Sequence, residues 1–186
     1  LWASVFAGDE KDGLPKDEEA LQLWTKVTPI RPERVLGFGK TDHFWEMGDT
    51  GPCGPCTEIH IDLGPEACDM KDVAGHRCGV NGDCARFIEL WNLVFIQYNR
   101  QPSGRLVPLS AHGVDTGAGL ERIVSVLQNK AGNYDTDLFM PIIQRTSELS
   151  GHTYTSKLGN KTDNAFRVIA DNVRTLVFAI TDRSLI

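Results

Sequence analysis

The sequence predicts an α+β fold, an antiparallel sheet flanked by helices and then an all-helical segment. Three observations carry this reading. The strand-like runs, residues 1–6, 34–38, 56–63, 87–98 and 105–109, all fall before residue 110 of a 186-residue chain. From residue 117 onward the apolar residues recur at helical spacing instead. A hydrophobic share of 41% is enough to pack a core. The change of pattern places a domain boundary near Asn133, with residues 1–132 forming the sheet domain and 133–186 opening a helical one.

The elements follow in order. Residues 1–6 form an apolar strand that starts at once at Leu1, so further residues are expected upstream. Residues 8–16 are a polar turn. Residues 17–27 form a surface helix, with acidic residues in its first turn, where the helix dipole favours them, and Ala20, Leu21, Trp24 and Val27 on one stripe. Pro29 and Pro32 end it, and residues 34–38 read as a short strand. In 56–63, Ile59 and Ile61 alternate with Glu58, His60 and Asp62, which predicts one core face and one polar face. Residues 64–85, rich in Gly, Asp and Cys without periodicity, read as a long surface loop. Residues 87–98 are apolar on both faces and belong inside the sheet, with Glu89 expected on one face and Asn92 on the other. After a turn at 99–104, residues 105–109 pair back as an antiparallel neighbour. A helix opens at Gly117 with Leu120, Ile123, Val124 and Leu127 as its core stripe. Residues 137–150 form another, and in 164–180 Ala165, Val168, Ile169, Val173, Leu176, Val177 and Ile180 share a face.

Composition excludes several classes. A net charge of −6 argues against a nucleic-acid grip by this piece alone, because phosphate binding needs concentrated Lys and Arg. No apolar stretch approaches the roughly 20 residues that span a bilayer, so no membrane partner is expected. Five cysteines, an odd and modest number, point to free thiols in a reducing compartment.

Residues 113–122 read GVDTGAGLER. This pattern sets Asp115 at a strand end, Gly117 and Gly119 at a turn into a helix, and Arg122 in its first turns. Glycines let backbone approach a ligand closely, free N–H groups attract phosphate, Arg122 can fork onto phosphate oxygens, and Asp115 suits an ammonium group. A strand-to-helix turn whose glycines relieve strain and whose Asp115 caps the helix fits the same spacing. A dinucleotide loop would need a third glycine where Arg122 stands. Asn92 among apolar neighbours could hold a substrate, with Val94 walling a small pocket, or could be a core amide satisfied by backbone. Glu89 could ligate Mg²⁺ or be a paired structural acid. Trp45 could wall a ligand or sit in the core. Cys53 and Cys56 form C-x-x-C, which Cys78 and Cys84 could complete as four zinc thiolates, but the spacing of the second pair is loose and zinc is not expected.

Four segments in this order, FWEMGDTGPCGPCTEIH at 44–60, ELWNLVFIQYNR at 89–100, VDTGAGLER at 114–122 and NYDTDLF at 133–139, resemble the alanyl-tRNA synthetases nearly end to end. The resemblance implies a class II aminoacyl-tRNA synthetase, an ATP-dependent ligase that makes alanyl-adenylate and transfers alanine to the acceptor end of tRNA(Ala), with Mg²⁺ accompanying ATP. It implies that Asn92, Asp115, Val94 and Gly117 hold alanine. By the same resemblance Trp45, Leu90, Trp91, Asn92, Gly119 and Arg122 border ATP, Arg122 being the third-motif arginine, and Asp115 and Arg122 carry the chemistry. Ala118 stands where the family commonly has Met. The first two motifs are absent from these residues, so the isolated chain is expected to be inactive. A cytoplasmic location is expected, with a mitochondrial one as the alternative. A truncated paralogue serving as a binding module is the competing reading.

Overall fold

The structure, a computed structural model, describes residues 1–183. The chain divides into two compact units, Leu1–Gly119 and Leu120–Ile186.

The first unit contains β1 (Trp2–Phe6), α1 (Glu18–Val27), β2 (Val35–Phe38), the single turn α2 (Lys40–His43), β3 (Phe44–Glu46), β4 (Gly51–Asp62), β5 (Phe87–Arg100) and β6 (Leu106–Ala118). The strands form one sheet in the order β2-β1-β4-β5-β6, with β3 also paired to β4. β1 and β2 are parallel and every other pair is antiparallel. β5 lies inside the sheet, as its apolar run requires.

Asp17 caps α1 by accepting from the Ala20 N–H at 2.9 Å. The helix lays Ala20, Leu21 and Trp24 over Ala3, Val5, Val35 and Phe95. Val27, expected on the same stripe, is 69% exposed because it lies past that contact at the helix end. The Trp24 indole donates to the Thr57 hydroxyl at 2.7 Å, which fixes the helix on the sheet through a part-buried polar pair.

Three expectations change here. The strand expected over 56–63 begins earlier, the glycine-punctuated stretch 51–56 being the first half of β4, with a register break between Cys53 and Cys56. β6 does not stop near residue 109 but continues through Ala118, so Asp115 and Gly117 both lie within the strand, in its last four residues, and α3 (Leu120–Leu127) starts later than Gly117. The polar side of β4 is not the solvent side: Glu58 and His60 are buried, while Ile59 and Ile61 are only half-buried. Alternation separates two faces but does not say which is wet, and here the polar face finds its own partners inside.

The second unit holds α3, a 3₁₀ turn at Asn133–Asp135, α4 (Met140–Ser150) and α5 (Lys161–Thr181). Its core is Phe139 and Ile143 against Phe166 and Ala170. Asn160 caps α5 by accepting from the Thr162 and Asp163 N–H groups. The buried Asp163 carboxylate accepts from the Thr155 and Lys157 N–H groups and the Thr155 hydroxyl, tying the incoming loop to the helix start. The stripe expected to be buried on α5 is exposed, Val168 at 57% and Ile180 at 64% among them. The packed residues are Phe166 and Ala170, one turn apart on a different face, where Phe139 and Ile143 meet them. Leu120 and Leu127 of α3 are likewise exposed rather than core. Among the described residues no helix is long and apolar enough to cross a membrane.

Candidate functional site

The face of the sheet opposite α1 collects the polar side chains. Ser4 on β1 pairs with Glu58 on β4, Glu58 with Asn92 on β5, and Asn92 with Gly117 on β6. Directly paired residues point to the same face, so these four form one row across four strands. The next row is Cys56, Val94 and Asp115.

A second register break, between Ile59 and His60, sets His60 opposite Glu89 while Glu58 stays opposite Asn92. Two residues of β4 therefore span three of β5, and the extra residue turns Glu89 to the Asn92 face. This corrects the expectation that the two lie on opposite faces, since strict alternation does not survive a bulge. Trp91 precedes the break, alternates away from Asn92 and is 43% exposed.

The structure thus brings Asn92, Val94, Asp115 and Gly117 together. Val94 is buried, whereas Asp115 and Gly117 are open to solvent. The Asn92 Oδ1 atom is buried without a hydrogen-bond partner. Gly117 does not have positive φ, and a Cβ built on it would meet nothing within 4 Å. Neither the backbone nor the packing of the chain requires glycine there. The Gly119 N–H donates to the Leu90 carbonyl at 3.2 Å, which pins the end of β6 to β5. Trp45, half-buried on β3, pairs with Gly54 beside the Cys53–Cys56 break. Arg122 belongs to the second unit, as the third residue of α3. A cavity of about 280 Å³ in the first unit, lined by Phe6, Leu14, Phe44 and Tyr98 among others, includes none of these residues.

Two members of the row, Ser4 and Glu58, belong to a buried network. His43 and His60 both approach the Glu58 carboxylate, at 3.4 and 3.0 Å, and the Ser4 hydroxyl bridges them, 2.6 Å from His43 and 3.1 Å from His60. Burial pushes His43 down from its ordinary value, against the pull of the Glu58 charge. Burial would raise Glu58, but the hydrogen bond from His60, the two imidazoles and the Ser4 hydroxyl outweigh it and hold the carboxyl below the usual range. Burial, with the Glu58 charge, pushes the Cys56 thiol up to about 12, so Cys56 is inert as a nucleophile. Cys53 is raised by burial as well. Both sit in β4 and neither joins Cys78 and Cys84: among the described residues, the one convergent group of metal-ligating side chains leaves them out.

A family model for class II (A) tRNA synthetases matches residues 1–185. The chain belongs to this family. It is 54% identical over 169 residues to the alanine-tRNA ligase of Chlorobium luteolum, covering 91% of the chain and 18% of that protein. It is 52% identical over 185 residues to the Chlorobium chlorochromatii alanine-tRNA ligase, covering 100% and 19%. It is 49% identical over 187 residues to the cytoplasmic alanine-tRNA ligase of Caenorhabditis elegans, covering 98% and 18%. The chain therefore spans about a fifth of the length of the curated relatives it matches.

In this synthetase chain the Ser4, His43, Glu58 and His60 network is the part of the face that residue patterns did not reveal. The one available signal was the spacing of Glu58 and His60, which reads equally well as a solvated strand edge. The network also makes the sheet unit acid-sensitive. The unfolded chain takes up a proton at His43 below pH 6.5 that the folded chain refuses, and does the same at Glu58 below pH 4.5. Both groups have folded values below their unfolded ones, so both contribute stability that is complete above those values and falls as pH drops through them. Chemical denaturation between pH 7 and 4 should show falling stability, each group contributing a slope of at most about 1.4 kcal/mol per pH unit. His43→Gln should flatten the upper part of that profile; an unchanged slope would remove His43 from the account.

Proposed function

We propose that the protein to which these residues belong activates L-alanine with ATP, forming alanyl-adenylate and pyrophosphate, and then passes alanine to the acceptor end of tRNA(Ala). One observation supports this most directly. An open sheet face presents Asp115, Val94, Gly117 and a buried Asn92 amide oxygen with no protein donor, in a chain about half identical to alanine-tRNA ligases.

In this reading Asp115 and the Asn92 oxygen receive the alanine ammonium group. They are diagonal neighbours on adjacent strands, a separation of about 7–8 Å that a small ligand can bridge. Val94, between them and buried, limits the side chain to a methyl group. Gly117 leaves room above the row for the ligand itself. Trp45, Leu90, Trp91 and Gly119 border ATP, and Arg122 supplies a planar cation for its phosphates. Mg²⁺ travels with ATP, and Glu89 remains a structural acid in this assignment.

No protein nucleophile takes part. The alanine carboxylate attacks the α-phosphorus, the bond from that phosphorus to the bridging oxygen breaks, and pyrophosphate carries the electron pair away. Rate comes from holding the reactants in line and from cations that meet the charge developing on phosphate. Residues 1–132 would be the later part of the catalytic domain and 133–186 the start of a helical tRNA-recognition domain, in a cytoplasmic enzyme. The isolated chain is proposed to be inactive.

Alanine-dependent exchange of pyrophosphate into ATP by the intact protein is the test. Exchange with alanine above that with glycine or serine supports the assignment, and exchange driven only by another amino acid overturns it.

A further inference from the structure

Residues 64–85 connect β4 to β5, antiparallel neighbours that a short turn could join. Apart from one 3₁₀ turn, Pro65–Ala67, this connection has no regular structure, and its buried residues are only Cys68, Val80 and Cys84. Ordering backbone costs roughly 1–2 kcal/mol per residue, far more than one buried valine and two thiols return. The segment is nevertheless specifically held. At its base the Arg86 guanidinium forks onto Asp62 at 2.7 and 2.8 Å, and the Leu63 N–H donates to the Arg86 carbonyl. Inside it the Ala85 N–H donates to the Asp69 carboxylate, and the 79–82 turn closes through Gly82 and the Gly79 carbonyl.

At its centre Cys68, His76, Cys78 and Cys84 converge, with their ligand atoms all within 4.8 Å of one another. The His76 Nε2 atom is 3.4 Å from the Cys68 sulfur and 3.5 Å from the Cys78 sulfur. A tetrahedral zinc ion, with bonds of about 2.3 Å to sulfur and 2.0–2.1 Å to nitrogen, sets its ligand atoms about 3.6–3.8 Å apart. We propose that Cys68, His76, Cys78 and Cys84 form a structural zinc site that orders the β4–β5 connection.

The donor set selects the metal. Three sulfurs and one imidazole suit zinc and disfavour Mg²⁺ or Ca²⁺, which take oxygen. Four protein ligands complete a tetrahedron and leave no position for water or substrate, so the role is structural and not catalytic. Three thiolates around a divalent ion leave one net negative charge. The Arg86 guanidinium, which also reaches the Cys78 sulfur, lies where it offsets that charge and orients a ligand from behind. The grouping could not be read from spacing, because the seven residues between Cys68 and His76 and the single one between His76 and Cys78 match no short repeated pattern. Only the folded loop brings the four together.

Elemental analysis of the 186-residue chain, refolded with zinc sulfate under a reducing agent and then desalted, should find about one zinc per chain. Cys68→Ser and Cys84→Ser should each cut this at least tenfold, while Cys53→Ala, in the sheet, should keep it and His76→Cys should retain it through a fourth thiolate. Should the serine variants fail to fold, cobalt titration of the unaltered chain decides: tetrahedral bands with thiolate-to-cobalt charge transfer support the site. A chain that retains no zinc, zinc that persists in both serine variants, loss of zinc in a folded Cys53→Ala variant, or a cobalt spectrum without charge transfer would each overturn it.

Discussion

Replacing Asp115 by Ala in the intact protein should reduce alanine-dependent pyrophosphate exchange by about 10²–10³-fold, the loss expected when a substrate ammonium group loses its charged partner. Stability should hardly change. Asp115 is exposed on β6, and what it contributes to the sheet is its backbone pairing with Val94, which alanine keeps. Circular dichroism and thermal unfolding should therefore match the parent within about 0.5 kcal/mol. The loss should appear mainly at subsaturating alanine, while Asp115→Asn, which keeps the shape and an acceptor, should fall between the two. Near-normal exchange in the alanine variant would take Asp115 out of the site and leave the row around Asn92 without its charged member.

Gly54→Ala should have the largest effect on folding. A Cβ at Gly54 would lie 1.9 Å from the Phe95 carbonyl oxygen, a backbone atom that cannot turn aside. β4 must then separate from β5 where the Cys53–Cys56 break lets the two backbones approach. The expected cost is about 3 kcal/mol or more, at the upper end for overpacking because backbone rather than a side chain has to move. Urea denaturation of the variant measures it. A cost below about 1 kcal/mol would mean that the strands relax apart freely. By contrast Gly117→Ala meets no protein atom, so it should fold normally, and any deficit it shows should lie in substrate binding.

Much of the face was legible because chemistry and apolar setting coincide in single residues. An amide at Asn92 within an apolar strand and an acid at Asp115 before two glycines stand out against their neighbours. Their mutual placement was not legible. Spacing alone left Asp115 at a strand end before a turn into a helix, where a helix cap explains it as well as a ligand does. The continuation of β6 through Ala118, paired residue by residue with β5, makes Asp115 and Asn92 neighbours. The bulge opposite His60 then places Glu89 on the face it was expected to leave.

What the sequence determined by itself was local: which residue starts α1, and which family the ordered motifs belong to. Backbone propensity, capping and motif order all act over a few residues, and they are written along the chain. Only the tertiary structure decided which face of each element is covered. α5 buries Phe166 and Ala170 and exposes the apolar stripe expected to pack, and β4 buries Glu58 and His60 while its isoleucines stay half-open. Cys53 and Cys56, close together in sequence, end in a sheet, while Cys68 and Cys84 meet across a loop. The reason is physical: periodicity sorts side chains onto faces, but burial depends on what another segment, distant in sequence, brings against that face.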